Sequence, residues 1–91
     1  MRMSDDEVKD RLSKMGGWER EGDALVHEFE FANFVGSVDF VNRITPVAEE
    51  MNHHPDLAIS WSKTTVSITN HSAGGLTGAD FELAGRIDAL G

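Results

Sequence analysis

The spacing of apolar residues predicts an α+β domain, a four-stranded antiparallel sheet with three helices on one face, in the order α-β-β-α-β-β-α. Three observations carry that prediction. Segments beginning at Leu25 and at Leu57 alternate apolar and polar residues with the period of a strand. Between them, Phe34 to Met51 sets apolar residues at three- and four-residue steps, the period of a helix. Shorter helical stripes flank the whole, near Val8 and near Phe81. With 91 residues and no repeat or linker, the chain reads as one domain spanning 1–91.

Taken in order, Asp5 to Met15 puts Val8, Leu12 and Met15 on one helix face, and Gly16-Gly17 stops it. Trp18 to Glu21 forms a short strand, followed by a turn at Gly22-Asp23. Leu25, His27, Phe29 and Phe31 then share one strand face, while Val26, Glu28 and Glu30 share the other. His27, alone among apolar neighbours, reads as structural. Asn33 suits the N-cap of the long core helix, in which Phe34, Val38, Val41, Ile44, Ala48 and Met51 recur at three- and four-residue steps. Pro46 removes the hydrogen bond to the Asn42 carbonyl and predicts a bend or a break. Pro55 forces the preceding residue out of the α region, so the helix ends near His53 or His54. Leu57, Ile59 and Trp61 form the third strand and Thr64 to Asn70 the fourth, in a hairpin around Ser62-Lys63. Ser72 to Gly75 is loop, and Thr77 opens a last helix with Phe81, Ala84, Ile87 and Leu90 inward.

Composition narrows the function. Hydrophobic residues make up 40% of the chain, an ordinary globular share. No cysteine is present, so thiolate chemistry and disulfides are excluded. Sixteen acidic against eight basic residues leave a net charge of -8, which repels phosphate backbones and argues against nucleic acid as a ligand. The opening MRMSDDEVKD has no apolar signal-like run, and no segment approaches the roughly 20 apolar residues of a membrane span. A soluble, cytoplasmic protein with no membrane partner is expected.

The candidate chemistry lies in the histidines and carboxylates of the second half. Glu49 and His53 are four apart at the end of the long helix and are expected to face the same way. A helix C-terminus favours a cation, and Glu49 adds a negative charge, so His53 suits a general acid. As an isolated pair it would more often be an inert surface cap. His54 is held extended by Pro55 and can leave the helix surface. His71 continues the polar strand face of Thr65, Ser67 and Thr69, and the glycines after it leave room for a flat ligand. Thr77-x-x-Asp80 resembles a capping box with Asp in place of Glu.

The linked series Glu49-x3-His53-His54-Pro55-x5-Trp61-x9-His71-x8-Asp80 resembles the signature of the pterin-4a-carbinolamine dehydratase family. Gly17-Trp18, Phe29-x-Phe31, Asn52-His53-His54-Pro55 and Gly74-Gly75-Leu76-Thr77 extend the likeness from about Leu12 to Leu90. The resemblance implies a lyase that dehydrates 4a-hydroxytetrahydropterin to quinonoid dihydropterin and water, recycling tetrahydropterin without metal or organic cofactor. It implies catalytic roles for His53 and His71 as proton donors, for His54 in holding the pterin, and for Glu49 in orienting His53. Trp61 would line the pocket, and Asp80, the closing acidic residue of the signature, would help bind the substrate. A homodimer or homotetramer is expected. Two other readings compete: a non-catalytic dimerisation or scaffolding module, as in some animal relatives, and a metal site built from Glu49 and the three histidines. Pro46 and the bulk of Trp61 depart from the family pattern.

Overall fold

A computed structural model describes residues 2–90. Its elements are α1 (Asp5–Ser13), β1 (Glu19–Glu21), β2 (Ala24–Glu30), α2 (Phe34–Met51), β3 (Asp56–Ile59), β4 (Lys63–Ile68), a 3₁₀ turn (His71–Ala73) and α3 (Gly78–Asp88). The predicted order holds, and the four strands form one antiparallel sheet in the order β1-β2-β4-β3. The two hairpins meet at the centre, where β2 pairs with β4 from Leu25↔Ile68 to Glu30↔Lys63.

Local chemistry explains each boundary. At α1, Ser4 Oγ accepts the Glu7 N–H at 3.2 Å and Glu7 Oε1 accepts the Ser4 N–H at 2.9 Å, a full capping box. These bonds to the Ser4 backbone and hydroxyl hold the Glu7 carboxyl below its ordinary range. Asn33 caps α2 through the Gly36 N–H at 2.9 Å. Helix α2 continues unbroken through Pro46, so the predicted break does not occur. It ends at Asn52, whose φ of 49° and ψ of 42° lie in the left-handed region, an Asn use of the αL C-cap. The third strand stops two residues earlier than predicted. Ser60 N–H bonds the Lys63 carbonyl at 2.8 Å, so the chain turns through Trp61-Ser62 and Lys63 already belongs to β4.

Leu25, Val66 and Ile68 form the buried face of the sheet. Against them lie Val8 of α1, Phe40 and Ile44 of α2, and Phe81, Leu83, Ala84 and Ile87 of α3. Trp18 closes one flank, its Nε1–H donating to both Asp88 oxygens at 2.9 and 3.0 Å. The His27 ring stacks on Phe29 at 3.8 Å between centroids and meets Trp18 edge-on at 5.0 Å. Gly17, at φ +87°, lies so close that an added Cβ would sit 2.5 Å from that ring.

Candidate active site

The sheet register collects the three candidate histidines at one end. Strand β3 begins with Asp56 opposite Ser67 of β4. The residues just before β3, His53 and His54, therefore lie beside those just after β4, which lead to His71. Beyond Ile68, Thr69 Oγ1 meets His71 Nε2 at 3.2 Å. His71 opens the 3₁₀ turn rather than extending the strand, because the ladder ends at Ile68 and Asn70 caps the turn through the Ala73 N–H.

The carboxylate pairing differs from the sequence expectation. Glu49 does not meet His53. The left-handed Asn52 turns the chain out of the helical path, so His53 and Glu49 lose the shared face that i,i+4 spacing provides. His54 takes Glu49 instead, Nε2 to Oε2 at 2.5 Å, and both side chains are open to solvent at 57% and 69% exposure. His53 turns inward to α3 and meets Asp80, Nε2 to Oδ1 at 2.6 Å, with 16% and 0% exposure.

Asp80 is tied down on its other oxygen. Oδ2 accepts the Thr77 N–H at 2.7 Å and the Thr77 hydroxyl at 3.1 Å. It is at once the first-turn acid of α3 and the partner of His53, a structural and a site role in one side chain. With Asp80 accepting on both oxygens, His53 carries its neutral-form proton on Nε2. Its Nδ1, which has no hydrogen-bond partner among the described residues, is then left to take up or release a proton.

His71 lines a small cleft of about 90 Å³ with Asp23, Thr69, Asn70, Gly74 and Gly75. A larger cleft of about 500 Å³ adjoins it at Asp23 and Gly75 and is walled by Arg2, Met3 and Arg20 among others. Trp61 belongs to neither. It stands at the β3–β4 turn, 69% exposed, at the opposite end of the hairpin from the histidines. Within one chain Trp61 lies away from the histidines because β3 starts beside His53 and His54 and runs from them toward the turn. Asn70 was not anticipated at all, although an Asn ahead of a turn is a known local capping signal. Among the described residues no group of three or more His, Asp or Glu side chains is placed to hold a metal ion.

The α-β-β-α-β-β-α frame is shared with known proteins. The family model for pterin 4 alpha carbinolamine dehydratase matches residues 1–90. A Sulfolobus acidocaldarius protein provisionally named pterin-4-alpha-carbinolamine dehydratase is 42% identical over 90 residues, covering 99% of each chain. One from Picosynechococcus, named in the same way, is 44% identical over 98% of this chain and 97% of its own. Among solved structures, a transcriptional coactivator/pterin dehydratase from Brucella melitensis superposes with a TM-score of 0.94 at 25% identity, over 99% and 98% of the two chains. A pterin dehydratase-like protein identified as a RuBisCO assembly factor in the alpha-carboxysome shares the fold at a TM-score of 0.67 and 19% identity, over 80% of this chain and 84% of that one. With the match to the family model running nearly end to end, the chain belongs to the pterin 4 alpha carbinolamine dehydratase family.

Proposed function

We propose that the protein dehydrates a 4a-hydroxytetrahydropterin to the quinonoid dihydropterin and water, with His53 and His71 moving the protons. The observation that carries this reading is the His53–Asp80 pair, which is buried on the carboxylate side and leaves Nδ1 free for proton transfer. In the reaction the C4a–O bond breaks as the hydroxyl takes a proton and departs as water, while N5 loses its proton and C4a=N5 forms. Hydroxide is a poor leaving group, so an imidazolium at the oxygen and a neutral imidazole or water at N5 are the groups required. Each such transfer is worth typically ~10²–10⁴-fold. His53 and His71 approach from different elements, which suits one as acid and the other as base on a planar substrate. His54, exposed and paired with Glu49, is assigned to holding the pterin edge, and Asp80 to fixing His53. Needing only proton transfer, the reaction requires no metal or organic cofactor.

The test is the decay of 4a-hydroxytetrahydropterin followed by absorbance. Purified protein accelerates it above the buffer rate, and His53→Ala reduces kcat by on the order of 10²-fold or more. Wild-type decay indistinguishable from buffer overturns the reading.

A second reading as a dimerisation or scaffolding module rests on Phe34, Val35, Ile59 and Trp61, large apolar side chains that are exposed at the ends of elements remote from the histidines. The same surface supports assembly as a homodimer or homotetramer alongside catalysis, which light scattering on the purified protein decides. No helix among the described residues is long and apolar enough to cross a membrane.

A further inference from the structure

We propose that Asn70, which occupies an unspecified position of the histidine–carboxylate series, is a positioning residue that sets the direction of a hydrogen-bond relay ending on His53. As far as catalysis is concerned, this rests on the dehydratase reading above; the relay itself does not.

The amide orientation of Asn70 follows from its neighbours. The Ala73 N–H points at Oδ1 at 3.3 Å and the Ser72 hydroxyl donates to the same atom at 3.0 Å. A backbone N–H can only donate, so that atom is the oxygen and Nδ2 faces Thr77 Oγ1 at 3.3 Å. An amide nitrogen can only donate in turn. The Thr77 oxygen is therefore an acceptor on that side, and its own hydrogen goes to Asp80 Oδ2 at 3.1 Å. Together with the Thr77 N–H at 2.7 Å, this loads Oδ2 with two donors. The other oxygen, Oδ1, is the one that meets His53 Nε2 at 2.6 Å.

Donor sense thus runs from Asn70 through Thr77 to Asp80, and from His53 back to Asp80. The relay holds the His53 proton on Nε2 and keeps Nδ1 for exchange with a ligand. It also joins His53 to His71, since Asn70 caps the very turn that His71 opens. The neighbouring charges are engaged elsewhere: Glu49 with His54, Glu50 with Arg86, and Arg86 also with Glu82. Asp80 is the one carboxylate that His53 touches among the described residues.

Asn70→Asp tests the direction. It is isosteric and keeps the oxygen that receives Ala73 and Ser72, so the turn survives. Toward Thr77 it presents an acceptor in place of a donor, which draws the hydroxyl hydrogen away from Asp80 and leaves Oδ2 one donor short. A less stabilised, more basic carboxylate beside His53, with one more negative charge nearby, raises the midpoint of its titration. Followed by NMR of the imidazole ring protons, the His53 midpoint should rise by about 0.5 pH units or more. In a Thr77→Val background the hydroxyl is already gone, and the same Asn70→Asp change should move the midpoint less than half as far. In turnover, the pH-rate profile should follow the NMR midpoint while KM changes less than about twofold. Equal shifts in both backgrounds indicate a through-space charge alone and overturn the relay, as does no shift in either. The NMR titration needs no substrate, so an inactive protein that still shows this coupling retains the relay and counts only against the dehydratase reading.

Discussion

His53 and His54 are adjacent in the chain, and each has a carboxylate within hydrogen-bond distance of its Nε2, yet the two pairs are different objects. His54 and Glu49 meet in open solvent, 57% and 69% exposed, where pairing is screened and worth about 0–1 kcal/mol. His53 meets a carboxylate with no solvent exposure, itself held by three hydrogen bonds in all, and that pair fixes which ring nitrogen carries a proton. What separates them is the single left-handed residue Asn52 and the packing of α3. The contrast teaches that the setting of a histidine here is decided by what lies behind it, not by the nearest acid along the helix.

The sharpest way to break the comparison is to remove the buried acid. Asp80→Ala should cost about 3 kcal/mol of stability, measured by urea denaturation, because it strands the Thr77 N–H and hydroxyl together with His53. Asp80→Asn keeps the shape and much of the cap but can offer His53 a donor instead of an acceptor. It should retain most of the stability and lower kcat on the order of 10²-fold in the carbinolamine assay. Glu49→Gln probes the exposed pair and should change kcat less than about threefold, with the difference vanishing in 1 M salt. A drop as large as that of Asp80→Asn would erase the distinction between the two pairs. The weakest effect belongs to an exposed counterpart of the Asp80 cap, the Ser4–Glu7 box of α1. Glu7 is held below its ordinary value in the fold, so its contribution is present above the unfolded value and is lost as pH falls through the folded one. Glu7→Gln should therefore lower the melting temperature slightly at neutral pH and make no difference once Glu7 is protonated in the native state.

How far these features could be read from residues alone varies with the range of the interaction. The element order was readable because periods of two and of three to four residues are local properties of Leu25–Phe31 and Phe34–Met51. Strand ends were overshot at Trp61 and Asn70 because alternation continues past the last ladder bond, and only the Ser60–Lys63 turn and the Asn70 cap reveal the stops. His53, His54, His71 and Asp80 stand out on local grounds, and the family likeness links them into one site. Their pairing does not stand out, since His53–Asp80 joins residues 27 apart and depends on how α3 docks. Glu49 was assigned to His53 by helical spacing, an argument that fails once Asn52 leaves the helical region. The Asn70–Thr77 contact arises from a loop folding back on a helix start, and no periodicity announces it.

The residues of the site lie between Glu49 and Asp80, in the second half of the chain, and none of the three histidines belongs to the packed core built on Leu25, Ile44, Val66 and Ile87. Shell and candidate chemistry are therefore physically separable. Exchanging His53, His54 and His71 should leave a folded body with its exposed Phe34, Val35 and Trp61 intact, as thermal melting of the triple variant would show. Asp80 is the exception: it meets His53 and also holds the Thr77 N–H and hydroxyl, so it has a mechanical role at the start of α3 whether or not His53 moves protons.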